Sequence, residues 1–396
     1  MSGAARPMAS MPYIVLGLFG LYTLEFGVVG ILPVIVARFG VTVSQAGLLM
    51  GLFALLVAVC GPFLVLVSSR FDRKRVLAGA LFGFSVCSAL SAYAPNFSAL
   101  MAMRIVPALL HPVFFAAAFT TATSLYPPER AAQATGLAVV GTTLGLVLGV
   151  PMTTWVAARF SYEASFLFCA GVTAVAGVGL LLKLPPQCCG APLSFGSQLA
   201  VLRKPALWLN IGATVLTFAT MFSVYSYAAE YLKTQTGMDG QTISMMLVIF
   251  GIGGVSGNLI AGRFLGRHLA RTMLMHPLLL ALAYLVLYAG TGASIGAMSV
   301  IVLLWGAAHT SGLVITQIWL MSAAPEAPAF ATSLYVSSAN AGVVLGSAAA
   351  GLFIDAAGMP GAIWCGLMFA ALSLLVIVST LALFGRSDAQ SIHCNP

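Results

Sequence analysis

Long apolar stretches alternate with short polar segments along the whole chain. A helix needs about 20 apolar residues to cross the hydrocarbon core of a bilayer, and each stretch is long enough to do so. The pattern predicts an all-α membrane protein with twelve transmembrane helices. The predicted spans cover residues 13–37, 46–68, 76–94, 99–124, 132–158, 164–184, 207–232, 242–265, 273–291, 295–322, 329–355 and 361–385.

The longest polar interval, at residues 185–206, divides the chain into halves of nearly equal length. We therefore predict an N-terminal six-helix bundle at 1–184, a cytoplasmic linker at 185–206, and a C-terminal six-helix bundle with a short tail at 207–396. Several residues recur about half a chain apart, which indicates two bundles related by internal pseudo-symmetry. The recurring pairs are Gly141 with Gly342, Gly145 with Gly346, and His111 with His309.

The composition also favours a membrane protein over a soluble enzyme. Hydrophobic residues make up 60% of the chain and charged residues only 7%, whereas soluble domains carry roughly 25% charged residues. The formal net charge is +8, but the basic residues are spread through loops and form no single patch. This distribution does not indicate a nucleic-acid partner.

The positions of the basic residues predict the topology. If the N-terminus is cytoplasmic, most of the 17 lysines and arginines fall in loops on the cytoplasmic side. Arg38, Arg159 and Lys233 fall on the opposite side, and Arg104 falls inside a span. Because cytoplasmic loops carry an excess of lysine and arginine, we predict that both termini are cytoplasmic.

Several motifs resemble those of the major facilitator superfamily, over essentially the whole length of the chain. They are similar to the drug:proton antiporter branch, which includes chloramphenicol-resistance and arabinose- or sugar-efflux permeases. The resemblance implies a major facilitator fold and a proton-coupled carrier in the bacterial cytoplasmic (inner) membrane. The motifs are Thr23-Leu-Glu25-Phe26, the basic loop Arg70–Arg75, Arg104 with His111, the row Gly141, Gly145, Gly149 and Pro151, and Asn340-Ala-Gly342.

The candidate proton-coupling residues are Glu25, Arg104 and His111, and Glu25 is the strongest of them. It lies near the middle of the first span, with apolar residues for more than two turns on each side. An ionised carboxylate at that depth is costly unless it is paired or faces water, so such residues usually line transport pathways. His111 is expected at a similar depth and Arg104 about two turns shallower, on the same face of the fourth span. The alternatives are a protonated packing role for Glu25 and structural bonds from Arg104 to backbone carbonyls.

Further residues are candidates for binding the solute or for the conformational change. The candidate substrate-binding residues are Glu25, His111, Tyr225, Tyr227, Gln317, His309 and Asn340. The candidate conformational motif consists of Arg70, Asp72, Arg73, Gly141, Gly145, Gly149 and Pro151. We expect the glycines of the fifth span to allow close packing between the halves. For Asn340 and Gln317, hydrogen bonding to another helix is an alternative role.

The leading hypothesis is a secondary transporter that exports a small drug-like or sugar-like solute by alternating access. The alternatives are a proton-coupled uptake symporter of the same fold and, from other classes, a membrane-embedded enzyme or a sensor. The loops are short and almost lack clustered histidine, aspartate or serine, which disfavours an enzyme. We expect no cofactor or metal, a proton as coupling ion, and a small molecule and the lipid bilayer as partners of a monomer.

Overall fold

A computed structural model describes residues 9–68, 70–127, 130–185, 200–292, 294–325 and 328–384, and no strand occurs in these ranges. Twelve of their helices are long and apolar enough to cross a membrane, which confirms the predicted all-α architecture. They are α1 (Met11–Gly30 and Leu32–Phe39), α2 (Val43–Ser68), α3 (Arg73–Ala92), α4 (Phe97–Met103 and Ile105–Ser124), α5 (Ala131–Leu144, Gly145–Gly149 and Val150–Arg159), α6 (Tyr162–Lys183), α7 (Pro205–Tyr225), α8 (Gly240–Leu265), α9 (His268–Ala289), α10 (Ile295–Ser322), α11 (Pro328–Ala357) and α12 (Gly361–Phe384).

The chain forms two compact units. The first holds the described residues of Met1–Pro192 together with Ala228–Val248, and the second holds those of Leu193–Tyr227 and Ile249–Pro396. Most of the predicted linker, residues 186–199, lies outside the described ranges. The segment 228–248 follows the break after α7 and includes the short helix Ala228–Thr236 and the start of α8. It therefore belongs by its contacts to the first unit, although it follows α7 in sequence.

Prolines interrupt two spans that the hydropathy pattern predicted as continuous helices. The helix α1 breaks at Ile31, two residues before Pro33, and α4 breaks at Arg104, three residues before Pro107. Proline has no N–H to donate to the carbonyl four residues earlier, and its ring crowds the preceding turn. The break in α4 places Arg104 at the junction of two helical segments.

The glycines of α5 pack against α1 within the first unit, and not between the halves as we expected from sequence. A Cβ at Gly145 would lie 2.7 Å from the carbonyl oxygen of Phe19, and one at Gly141 would lie 2.6 Å from that of Val15. In the second unit, Gly346 of α11 meets the backbone of α7 at Ala219 in the same way. Each unit therefore uses glycines of its fifth helix to bring two backbones together, as the sequence repeat indicates.

We predict that Gly145→Ala destabilises the protein by about 1–3 kcal/mol, the usual range for inserting a methyl group into a well-packed interior. The added methyl meets backbone, which cannot turn away as a flexible side chain can. Denaturant unfolding of the purified protein in micelles measures the effect. Gly136→Ala in the same helix is the matched control, because its Cβ meets nothing within 4 Å. Equal stability of the two variants would contradict the packing described.

Candidate functional site

The helices α1 and α4 bring together an acid and a base inside the first unit. Glu25 is 6% exposed, and its Oε2 lies 3.0 Å from Nε2 of the equally buried His111. Their similar depth agrees with the sequence expectation. Both side chains lie within membrane-spanning helices, where an isolated charge is costly. The two atoms lie within ion-pair distance, although the angles at Nε2 do not form a hydrogen bond in this structure. Each group can stabilise the other when both are charged.

Arg104 lies beside this pair but bonds to the backbone of α1. It is 3% exposed, and it donates from Nη1 to the carbonyl oxygen of Leu24 at 3.2 Å and from Nη2 to that of Glu25 at 3.0 Å. Its guanidinium carbon lies 4.9 Å from the centre of the Phe53 ring, a cation–π distance. The alternative of structural bonds to backbone carbonyls is therefore the geometry found.

Aromatic rings surround the acid–base pair. The ring centres of Phe53, Tyr22 and Phe115 lie 5.7, 6.1 and 6.3 Å from that of His111. Among the described residues, no hydrogen-bond partner faces Nδ1 of His111. Phe53 and Phe115 carry no polar atom, so much of the surrounding of the imidazole is apolar. In such an apolar surrounding, a change of charge on either partner acts strongly on the other.

Two small cavities lie next to the site in the first unit. The larger has room for water-sized molecules in a volume of about 20 Å³, and Thr23, Leu24, Ser88 and Thr153 are among its lining residues. The second, of about 10 Å³, has Leu24, Ser88 and Arg104 in its wall. Both volumes fall far below the roughly 300–1,000 Å³ usual for small-molecule pockets. Neither is lined by Glu25 or His111, so they do not by themselves locate a solute site.

Two of the predicted substrate-binding residues meet in the second unit. The ring centres of Tyr225 and His309 lie 4.8 Å apart, and Phe250 stacks on Tyr225 at 5.0 Å. Tyr227 instead donates its hydroxyl to the carbonyl oxygen of Ser347 at 2.8 Å. Tyr225 and His309 thus form part of an aromatic cluster, whereas Tyr227 links the end of α7 to α11.

Sequence reasoning missed a second buried histidine in this unit. Nε2 of His276, in α9, lies 3.0 Å from the carbonyl oxygen of Ala308. Ala308 is the residue before His309 in α10. A lone histidine inside an apolar span was the available signal, the same one that identified His111. The pairing with α10 could not be inferred, because no motif relates α9 to α10.

The remaining predicted polar residues do not join either cluster. Asn340 donates from Nδ2 to the carbonyl oxygen of Val336 at 3.0 Å, a bond within its own helix α11 and not to another helix. Gln317 is half-buried in α10. Their roles in solute binding stay predictions.

The basic loop before α3 has a simpler local role in this structure. Asp72 precedes the helix and accepts a hydrogen bond from the backbone N–H of Lys74 at 3.4 Å, as an N-cap does. Its second oxygen lies 3.9 Å from Nε of Arg75. Arg70 is exposed and Arg73 half-buried. A role for Arg70 and Arg73 in the conformational change stays a prediction.

Comparison with known protein families gives the decisive match. The sequence profile of the Major Facilitator Superfamily matches residues 14–229 and, a second time, residues 211–396. The chain belongs to the major facilitator superfamily. As a member of this superfamily, it is a membrane transporter with the fold of a secondary carrier, and not an enzyme.

Relatives and solved structures also resemble this chain over most of its length. The inner membrane transport protein YdhP of Escherichia coli (strain K12) is 33% identical over 86% of this chain and 87% of its own. A protein named probable sugar efflux transporter, from Mannheimia succiniciproducens, is 27% identical over 94% of this chain and 93% of its own. The nucleoside transporter NupG has a TM-score of 0.77 over 97% of this chain and 99% of its own, at 14% identity. The likeness to NupG concerns the fold alone.

Proposed function

We propose that this major facilitator protein exports a small drug-like or sugar-like solute in exchange for protons, by alternating access. The observation that supports the proposal most is the buried contact of 3.0 Å between Glu25 Oε2 and His111 Nε2. Carboxylates inside spans are rare and usually take part in ion or substrate pathways. We place the protein in the bacterial inner membrane with both termini cytoplasmic, acting as a monomer.

Coupling follows if the proton and the solute each disfavour the other. Protonation of Glu25 removes its charge and weakens its attraction to His111, whereas an ionised Glu25 can bind a polar or cationic group of the solute. Such mutual exclusion is a coupling free energy, and it acts equally in both directions. The proton is the coupling ion in this scheme, and the mechanism needs no cofactor.

The solute class is proposed from both the site and the relatives. The proposed solute contacts are Glu25, His111, Tyr225, Tyr227, Gln317, His309 and Asn340, a mixture of aromatic rings and hydrogen-bonding groups. Aromatic rings and a few polar groups are the kind of side chains that bind sugars and amphipathic drugs. One relative is named a probable sugar efflux transporter, which makes sugars the first class to test. A proton-coupled uptake symporter with the same residues is the second candidate.

The test is transport into inverted membrane vesicles that contain the protein. Chloramphenicol, other toxic compounds and radiolabelled sugars are offered with an imposed pH gradient, acidic inside the vesicles. We expect accumulation of at least one solute, and collapse of that accumulation when a protonophore abolishes the gradient. Accumulation that persists in the presence of the protonophore would exclude proton coupling. Accumulation only in right-side-out vesicles, with the acidic side outside, would support uptake symport.

A further inference from the structure

A segment that follows α7 in sequence is held inside the first unit. After the break at Ser226 and Tyr227, the helix Ala228–Thr236 packs on both parts of α1, namely Met11–Gly30 and Leu32–Phe39. The residues Ala228–Val248 all group with this unit. We call Ala228–Val248 the docked segment. The sequence predicted its first residues as the end of one continuous helix at 207–232, so the break and the docking are new information.

Two further contacts fix the docked segment on α5. Ser244 donates its hydroxyl to the carbonyl oxygen of Pro151 at 2.8 Å. Gly240 lies so close to α5 that a Cβ there would be 2.8 Å from the methyl group of Ala158. Neither contact involves a charged group, and both join the segment to α5. Together with the packing of the helix Ala228–Thr236 on α1, they hold the segment on both helices.

Glu230 is buried in the docked segment without a strong partner. It is 4% exposed, and its Oε2 has no hydrogen-bond partner among the described residues. No cationic nitrogen of the described ranges lies within 4 Å of it. Glu230 follows the end of the span Pro205–Tyr225, and burial raises the pKa of its carboxyl, while nearby Lys233 lowers it. Burial in this position favours the neutral, protonated acid.

The charged groups on the neighbouring elements do not change this conclusion. In α1, Glu25 contacts His111. Arg38, at the end of α1, bonds to Glu163 at 2.6 Å, so its charge is already matched. Arg159, the last residue of α5, is exposed. The titratable groups of α1, α5 and the docked segment, apart from Glu230, are Tyr13, Tyr22, Glu25, Arg38, Arg159, Tyr231, Lys233 and Asp239.

We propose that Glu230 is a second proton-binding group of the transport cycle, which holds the docked segment on α1 and α5 when protonated and releases it when ionised. The proposal rests on the proposed proton-coupled transport. When the segment separates from α1, water reaches the carboxyl group and its proton can leave to the solvent. Return of the segment requires that a proton be taken up again. Docking and proton uptake at Glu230 are thus linked.

The pH dependence has a definite sign. A carboxyl group in water has a pKa near 4.3, and in the docked segment the pKa of Glu230 is raised above that range. Docking is therefore strongest at pH values below the ordinary pKa of a carboxyl group. It weakens as the pH rises toward the raised pKa of Glu230 in the docked segment. Within that window the undocked fraction grows by up to about tenfold per pH unit. Above the window it no longer changes.

The experiment uses a single cysteine, Ser244→Cys, in full-length protein in which the seven native cysteines are replaced. Position 244 is buried on α5 when the segment is docked. The rate of reaction with a maleimide is measured from pH 5 to pH 9 on purified protein in micelles. It is divided by the rate of the same variant unfolded in denaturant at each pH, because thiol reactivity itself depends on pH. We expect slow reaction at low pH and an increase of at least about tenfold across the range.

Substitutions at and near Glu230 identify the titrating group. Glu230→Gln should leave the reaction slow at every pH, and Lys233→Gln should move the rise to higher pH, because Lys233 favours the ionised acid. Asp239→Asn is the matched control: Asp239 is an exposed acid of the same segment that caps α8 through Thr242 at 2.9 Å. Asparagine can also cap, so this variant should behave as its parent.

Several outcomes would overturn the proposal. An unchanged rise in Glu230→Gln would show that another group titrates, and full reactivity at low pH would show that the segment is not docked. Glu25→Gln is measured beside these variants and should keep the pH-dependent rise. If vesicle transport proves independent of protons while the rise still requires Glu230, the proposed function fails and the docking assignment stands. If transport is proton-coupled but no rise occurs, only the assignment of Glu230 fails.

Discussion

Glu25→Gln is expected to abolish solute accumulation driven by a proton gradient and to leave downhill exchange of the solute. Glutamine keeps the size of the side chain and can still contact Nε2 of His111, but it cannot bind or release a proton. Without that change of charge, the proton and the solute no longer exclude each other, and their fluxes separate. Transport into inverted vesicles, with and without an imposed pH gradient, measures both activities. Glu25→Asp, shorter by one methylene group, should retain part of the accumulation.

A second glutamate provides the control for this result. Glu163 is a half-buried acid in the same unit, and it bonds to Arg38, which is exposed. Such pairs contribute only about 0–1 kcal/mol, so Glu163→Gln should accumulate solute as the wild type does. If Glu25→Gln accumulated solute at a near-normal rate, Glu25 would be structural. His111 and Arg104 would then be the next candidates for proton coupling.

Arg104→Met is expected to destabilise the first unit and to reduce transport strongly. Methionine fills part of the volume but removes both hydrogen bonds to the carbonyl oxygens of Leu24 and Glu25, as well as the contact with Phe53. A hydrogen bond to a charged group contributes about 1.5–3 kcal/mol, so we expect a loss of at least about 3 kcal/mol. Denaturant unfolding in mixed micelles measures the stability, and the vesicle assay measures transport.

Arg104→Lys separates the charge from the geometry. Lysine keeps the positive charge, but its single ammonium group cannot reach two adjacent carbonyl oxygens in one plane or stack flat on a ring as guanidinium does. We expect an intermediate stability. Wild-type stability in Arg104→Met would mean that the two bonds contribute nothing. Equal stability of Arg104→Lys and wild type would mean that only the charge matters.

The twelve spans could be predicted from sequence because the bilayer imposes the length and the apolar character of each helix. The breaks within the spans were harder to predict, since the hydropathy pattern does not change at them. Pro33 and Pro107 explain the interruptions at Ile31 and Arg104 after the fact, but Pro112 lies inside α4 without ending it. Whether a proline breaks a helix or only bends it depends on the neighbouring helices.

The residues of the candidate site could be predicted from the sequence, but the bonds that they form could not. Intramembrane position identified Glu25, Arg104 and His111, and counting along the spans predicted similar depths for Glu25 and His111. Counting residues along the spans does not predict that Arg104 reaches the backbone of α1, because a long flexible side chain can extend by more than a helical turn. The burial of Glu230 was equally hidden, since it depends on where the chain turns after Tyr225.

The attachment of Arg104 to main-chain oxygens has a consequence for how this transporter can change over generations. Every residue at position 25 supplies the same carbonyl group, so the tether between α4 and α1 survives whichever side chain stands there. With the proposed role of Glu25, the chemistry of ion coupling and the architecture of the bundle are thereby separable traits. A descendant protein with a different side chain at position 25 would keep its helices in place, so that a change of coupling ion could evolve without loss of the fold.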